Sequence, residues 1–113
     1  MNEIIVYNEF DNLEKANIYL YKDTLTESWS AYGYSAYKVK EIAVKDDLNT
    51  IQIFSNEMMM PVVLLNSATL KKILINCSSL PCTSADLCLS VHNIRPVNQD
   101  DYRIWTNSLR VHI

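Results

Sequence analysis

The chain has a single glycine, Gly33, among its 113 residues, and this scarcity excludes several kinds of site. A phosphate-binding P-loop and a dinucleotide fingerprint each need several glycines, because the backbone must approach the phosphates closely. We therefore expect no nucleotide bound in either way, and we expect no other cofactor. Only three prolines accompany the one glycine, so there is little material for flexible linkers and most residues should lie in regular elements.

Long apolar runs are also lacking. No segment contains the ~20 continuous apolar residues that a membrane-spanning helix needs, and no basic region precedes the short apolar run at residues 4–7. We expect no membrane association. The three cysteines, Cys77, Cys82 and Cys88, are odd in number, which does not suit a disulfide framework and indicates a reducing, cytoplasmic location.

Positive charge is sparse, since the formal net charge is -3 and the ten basic residues are dispersed. Only Lys38 with Lys40 and Lys71 with Lys72 come close together, each pair on a predicted helix whose outer face would be solvated. Nucleic acid is bound through clustered Lys and Arg, so this pattern argues against a strong nucleic-acid surface.

What is present is typical of one globular domain over residues 1–113, with 49% hydrophobic and 20% charged residues. Alternating or continuously apolar segments predict six strands, and apolar residues at helical spacing predict three helices. The fold class is therefore α/β or α+β, with a single mixed sheet flanked by helices in the order β-β-β-α-β-β-α-β-α. The predicted strands are residues 3–7, 16–21, 28–32, 50–55, 62–65 and 86–93, and the predicted helices are residues 36–44, 68–75 and 100–109, with a loop at 78–84.

Gly33 marks a predicted strand-to-helix corner. Residues 28–32 alternate as a strand does, and Ala36, Val39 and Ile42 follow at helical spacing. Glycine accepts a positive φ, and Ser35 is a candidate N-cap for the helix. Lys38 is expected on the solvent-facing side of that helix.

Two segments resemble the N-terminal mismatch-recognition domain of the DNA mismatch-repair protein MutS. In residues 18–44, Tyr32, Gly33 and Ala36 stand where the family's hairpin and following helix have Tyr, Gly and Ala. In residues 58–74, the similarity runs through Ala68, Lys72 and Leu74. The resemblance implies a small mixed sheet with flanking helices. It does not extend to mismatch reading, because Ser28-Trp29-Ser30 replaces the family's Phe-x-Glu motif.

An aromatic cluster around the predicted hairpin is the densest unusual feature. Tyrosine and tryptophan combine an apolar body with a polar tip, which suits protein interfaces and also the stacking of single-stranded bases. Three consecutive methionines form an apolar run before Pro61, and they either continue the core or mark an interface. If the strand at 50–55 is a sheet edge, that run and its neighbour offer a surface for strand pairing. The candidate partner-binding residues are Tyr19, Tyr21, Trp29, Tyr32, Tyr34, Tyr37, Met58, Met59 and Met60.

The cysteines carry two further candidate chemistries. Cys77, Cys82, Cys88 and His92 are zinc-type ligands, but no Cys-x-x-Cys occurs, and Cys88 and His92 on one strand would lie ~13 Å apart. We expect buried thiols and no metal. A cysteine nucleophile would pair Cys82 with His92 or His112, although no motif supplies a base or an oxyanion hole.

The favoured hypothesis is thus a small non-enzymatic binding or accessory domain that acts by protein–protein contact or by self-association as a homodimer, through the Tyr-rich hairpin. The alternatives are a nucleic-acid-binding module and a small cysteine-dependent enzyme.

Overall fold

The computed structural model describes residues 2–10, 12–23, 25–75, 77–91 and 95–110. Within these residues the chain forms four helices and six strands. In chain order they are α1 (Asn2–Glu9), β1 (Asn17–Lys22), β2 (Trp29–Tyr32), α2 (Gly33–Lys45), β3 (Ile51–Ser55), β4 (Met60–Leu65), α3 (Ser67–Leu74), β5 (Cys77–Leu80), β6 (Leu87–Val91) and α4 (Gln99–Arg110).

The strands form one sheet in the order β3-β4-β2-β1-β6-β5. It is built from three hairpins, β1–β2, β3–β4 and β5–β6, which join through β2 with β4 and through β1 with β6. The predicted single sheet of six strands with flanking helices is confirmed, in its α+β form. We expected a mixed sheet, but every pairing among the described strands is antiparallel. Hairpin turns account for three of these pairings, β1–β2, β3–β4 and β5–β6, because a short turn reverses the chain.

The two faces of the sheet have different cover. One face packs against α2 and contributes the main core, which α3 and α4 complete through Leu70, Ile73 and Trp105. The opposite face carries Tyr19, Tyr21 and Tyr32, and it is covered in part by α1. The buried sheet residues of the main core are Ile18, Leu20, Ala31, Val63, Leu65, Leu89 and Val91.

Residues 3–7 lie in helix α1, so the predicted first strand is wrong. Their β-branched and aromatic side chains favour a strand locally, but tertiary contacts decide the outcome. The inward positions of this helix are Ile5, Asn8 and Glu9, which are buried at helical spacing. Two of the three are polar, so hydrophobic periodicity could not reveal the helix.

The corner at Gly33 is confirmed, because β2 ends at Tyr32 and α2 begins at Gly33 with φ of 59°. Ser35 is not the N-cap, since the helix starts two residues earlier. At its other end α2 closes with Leu48 N–H donating to the Ala43 carbonyl (2.8 Å) and Asp47 N–H donating to the Val44 carbonyl (3.4 Å). This is a Schellman motif with Asp47 in the left-handed region (φ 54°), where glycine is usual.

The second half of the chain follows the prediction with one exception. Helix α3 begins after Asn66, whose side chain accepts a hydrogen bond from Thr69 N–H (2.8 Å), and β4 is buried on both faces as its apolar run predicted. The exception is the predicted loop at 78–84, whose first residues belong to β5. The end of the predicted strand at His92 and Asn93 lies outside the described residues.

Candidate functional site

Glu9, at the end of α1, supplies the cap that α2 lacks in its own sequence. The residue before α2, Tyr32, makes no side-chain capping bond. Instead the Glu9 carboxylate accepts hydrogen bonds from Ser35 N–H (2.8 Å) and Ser35 Oγ (2.6 Å). A carboxylate at a helix N-terminus satisfies free N–H groups and opposes the positive end of the helix dipole. The cap comes from another helix, so it ties α1 to α2.

Gly33 allows this approach. A Cβ built on Gly33 would lie 3.3 Å from Glu9 Cγ and 3.5 Å from Glu9 Oε1, tighter than or at the limit of ordinary contact. Its φ of 59° is also unfavourable for most L-residues. The single glycine therefore serves two needs, the turn into α2 and the space for the Glu9 side chain.

Lys38, three residues after Ser35 on α2, is buried rather than solvated, so the predicted outward orientation is wrong. It is 1% exposed, and its ammonium donates to the Asn12 carbonyl (2.7 Å), Asn12 Oδ1 (3.0 Å), the Lys15 carbonyl (2.5 Å) and the Asn17 carbonyl (3.0 Å). These acceptors lie on the segment that leads from α1 into β1. Lys38 thus holds this connection against the middle of α2.

Asn12 joins the two charges into one network. Its Nδ2 donates to Glu9 Oε1 (3.2 Å) and Ser35 Oγ (3.1 Å), while its Oδ1 accepts from Lys38. Burial raises the pKa of the Glu9 carboxyl, although the Ser35 and Asn12 hydrogen bonds and the Lys38 charge oppose that rise. Burial likewise lowers the pKa of Lys38 to about 8, against the opposing effect of Glu9. All four residues are buried, so the network acts as an internal tether between α1 and α2.

The aromatic residues that the sequence grouped together lie in different places. Tyr21 and Tyr37 are buried, while Tyr19, Trp29, Tyr32 and Tyr34 are half-buried. Tyr21 packs edge-on against Tyr32 (centroids 5.8 Å apart), on the α1 side of the sheet. Tyr34 and Tyr37 pack against Tyr102 of α4, at 4.6 Å and 6.0 Å. Four of the six rings are therefore divided between two packing clusters, so the six do not form one exposed surface.

The methionine run lies at the β3–β4 turn. Met59 is 61% exposed and has a positive φ (54°), while Met58 and Met60 are half-buried. The neighbouring strand β3 is an outer strand of the sheet, and its Ile51 and Ile53 are 61% and 45% exposed. The sequence analysis expected a strand-pairing surface here if residues 50–55 formed an edge strand. The strand β3 is such an edge strand.

Cys82 and Cys88 lie together at the β5–β6 hairpin, whereas Cys77 faces the other side of the sheet, opposite Val91. All three are free thiols. The histidines proposed to pair with Cys82, His92 and His112, lie outside the described residues. In the part of the chain that is described, no three His, Cys, Asp or Glu side chains are grouped as metal ligands.

Comparison with protein-family models, curated proteins and solved structures finds no match for this chain. The resemblance to the mismatch-recognition domain therefore stays a prediction. Among the described helices, none has the length and apolar content to cross a membrane.

A groove of about 900 Å³ lies between α2 and residues 95–98. Charges of both signs line it, with Lys45 and Arg95 beside Glu41 and Asp101. Such a mixture selects neither an anionic nor a cationic ligand, so we assign no site there.

The sequence analysis did not predict the buried network of Glu9, Asn12, Ser35 and Lys38, although it named Ser35 as a candidate N-cap. Ser35 and Lys38 stand three apart on α2 and so share a face, but a serine and a lysine on one face ordinarily indicate solvent. Only the position of α1 identifies them as buried partners.

Proposed function

We propose that this chain is a small non-enzymatic binding domain that acts through protein–protein contact, and that its contact surface is the outer edge of β3. The observation that carries the proposal is that β3 lacks the residues that usually protect an edge strand, while Trp105 and Arg110 of α4 contact only the Gln52 and Phe54 side chains on one of its faces. Natural sheets protect edge strands with charged residues, proline, bulges or very short length, because an exposed edge pairs readily with another strand. The five residues of β3, Ile-Gln-Ile-Phe-Ser, contain neither a charge nor a proline.

The opposite edge of the same sheet provides the comparison. Strand β5 has four residues, of which two are serines, and Pro81 follows it directly. Short length and proline are both protective features. The β5 edge is thus protected against pairing with another strand and the β3 edge is not. This difference supports β3 as the contact surface.

The register of β3 against β4 indicates which backbone groups are free. Opposite residues in an antiparallel pair alternate between exchanging two hydrogen bonds and exchanging none. Phe54 is opposite Pro61, which has no N–H, so this pair is of the second kind. The N–H and C=O groups of Phe54 and of Gln52 therefore point away from β4. Among the described residues, no hydrogen bond reaches these outward groups.

On one face of β3 the side chains are apolar. Ile51 and Ile53 share the face of β3 that carries Leu64 and Val62 on β4, and both isoleucines are exposed. Met59 adds a flexible apolar side chain at the adjacent turn. An added strand would bury these groups while satisfying the backbone, the combination used in strand-addition binding.

A second copy of this chain is the occupant that the strand itself favours. If two β3 strands pair about a two-fold axis at Ile53, Gln52 lies opposite Phe54 of the partner subunit, and the outward backbone groups of both residues are satisfied. Ile53 then faces its own counterpart in a non-hydrogen-bonded pair, where side chains are closest. The strand itself brings no charge to this contact. Two-fold dimers are the commonest homo-oligomers.

The oligomeric state tests the proposal. Sedimentation velocity over a range of micromolar to submillimolar concentrations should show a monomer–dimer equilibrium, and Ile53→Lys should shift it to monomer. The matched control is Leu80→Lys on β5, which places the same charge beside the guarded edge and should leave the dimer intact. Circular dichroism would check that both variants remain folded. A wild-type chain that stays monomeric throughout would overturn the proposal.

Crosslinking tests the register. A non-hydrogen-bonded antiparallel pair separates the Cα atoms by about 4.5 Å, which suits a disulfide. Ile53→Cys should therefore crosslink rapidly under mild oxidation, whereas Ile51→Cys should not, because two residues at 51 would be ~14 Å apart at ~3.4 Å per residue. The parent chain, with its native cysteines, gives the background rate. Equal crosslinking by both variants would contradict this register.

A further inference from the structure

Two thiols lie side by side where β5 turns into β6. Leu80 is the direct partner of Cys88 in the register, and Cys82 follows Leu80 by two residues. The Cys82 and Cys88 side chains are close enough for each to shift the pKa of the other, and Cys82 Sγ lies 3.5 Å from Ser84 Oγ. The β3 edge is at the far side of the sheet, so this pair is separate from the proposed contact surface.

The two thiols have different environments. Cys82 is half-buried and reachable from solvent, while Cys88 is buried between β1 and β5. Burial raises the pKa of Cys82, but hydrogen bonds with the Ser84 side chain, from the Ser84 and Ala85 N–H groups and with Cys88 outweigh it, and the net shift is downward. Burial and the adjacent Cys82 raise the pKa of Cys88 to about 11.

We propose that Cys82 and Cys88 form a reversible disulfide in response to a peroxide, with Cys82 as the attacking thiol and Cys88 as the resolving thiol. The accessible member reacts first, because a thiolate with hydrogen-bond donors around its sulfur is the nucleophilic form. The buried member is held next to it and completes the bond.

The chemistry balances with hydrogen peroxide as the oxidant. The Cys82 thiolate attacks one peroxide oxygen, the O–O bond breaks, and the departing hydroxide takes a proton to become water, leaving a sulfenic acid on Cys82. The Cys88 sulfur then attacks the Cys82 sulfur, the S–O bond breaks, and a second water leaves as the disulfide forms. Two thiols lose two electrons in total, and one peroxide is reduced to two waters. A dithiol reductant reverses the change by thiol–disulfide exchange.

Cys77 is the internal control for this reaction. It lies on the opposite face of the hairpin, opposite Val91, and burial raises the pKa of its thiol. It should neither attack peroxide quickly nor reach the other two sulfurs.

Peptide mapping after peroxide treatment tests the proposal. The folded, reduced chain should give a Cys82–Cys88 crosslinked peptide that dithiothreitol removes, while Cys77 remains available for alkylation. Cys77→Ser should leave this result unchanged. Cys88→Ser should abolish the crosslink and let dimedone label Cys82, since the sulfenic acid then persists. Cys88→Ala repeats that test if the serine variant proves unstable. A crosslink through Cys77, or equal oxidation of all three thiols, would overturn the assignment.

Discussion

The Glu9 carboxylate accepts a hydrogen bond from the Ser35 N–H at 2.8 Å, so the first helix of the chain caps the second. A cap normally comes from the residue that directly precedes a helix. Here it arrives from 26 residues away, and it passes directly over Gly33. The strand-to-helix corner and the docking of α1 therefore depend on each other.

Gly33→Ala should destabilise the chain by roughly 1–3 kcal/mol. About 1–2 kcal/mol is expected from placing a Cβ in the left-handed region, and the new methyl group would also lie 3.3 Å from Glu9 Cγ. Urea unfolding followed by circular dichroism measures the change in free energy. In a Glu9→Ala background the same substitution should be less harmful, because its steric partner is gone. Additive effects of the two substitutions would show that the contact with Glu9 is unimportant.

Asp47→Gly should raise the free energy of unfolding, whereas Gly33→Ala should lower it. Asp47 occupies the left-handed position of the Schellman motif at the end of α2, with φ of 54°. Glycine is preferred there because it has no Cβ, so a stabilisation of about 0.5–1 kcal/mol is expected. The same unfolding experiment measures it, with Asp46→Gly as the control, since Asp46 has a φ of -98°. If Asp46→Gly raised the free energy of unfolding as much as Asp47→Gly, the left-handed backbone conformation of Asp47 would not explain the stabilisation.

Much of the fold could be predicted because its signals are local. The strand-to-helix corner and the continuous apolar run of β4 are each visible within a few residues. Helix α1 was missed because its buried face is mainly polar, and β5 was missed because Cys-Ser-Ser-Leu has little strand propensity without β6 beside it.

The candidate sites were predictable only in part. That β3 lies at an edge follows from the order of the whole sheet, although its lack of charge could be read directly. The burial of Lys38 could not be foreseen, because four oxygens from a distant segment surround it. A lysine on an amphipathic helix ordinarily faces water, and a single sequence carries no sign of the exception.

Lys38→Met should destabilise the chain by about 3–5 kcal/mol, the usual effect of breaking a buried, hydrogen-bonded charge interaction. The substitution leaves the carbonyls of Asn12 and Lys15 without the ammonium, and Glu9 without its nearby positive charge. Lys72→Met on the exposed side of α3 is the matched control and should change the stability by less than ~0.5 kcal/mol. Equal effects of the two substitutions would contradict the tether.

The pH dependence of this difference follows from the lowered pKa of Lys38, about 8 when folded against 10.5 when unfolded. Between these values the unfolded chain holds a proton that the folded chain has released, so the free energy of unfolding rises with pH across this window. The stability that the folded chain gains when Lys38 loses its proton is fully present above pH 10.5 and is lost as the pH falls through about 8. Wild type should therefore gain stability over Lys38→Met from pH 8 towards 10.5, by up to ~3 kcal/mol. An NMR titration of the Lys38 side chain with its midpoint near 10.5 would contradict the shift.

Tyr21→Ser should strongly lower the free energy of unfolding. Such a loss would show that this ring belongs to the core and not to the contact surface that the sequence suggested. Tyr21 is only 4% exposed, its hydroxyl accepts a hydrogen bond from Asn8 Nδ2 (2.7 Å), and its ring packs against Tyr32. Removing a buried aromatic ring is expected to lower the free energy of unfolding by about 3–5 kcal/mol. The control is Tyr7→Ser on α1, where the ring is 78% exposed and the expected change is below ~0.5 kcal/mol. If Tyr21→Ser instead kept full stability and weakened self-association, the hairpin rather than the β3 edge would be the contact surface.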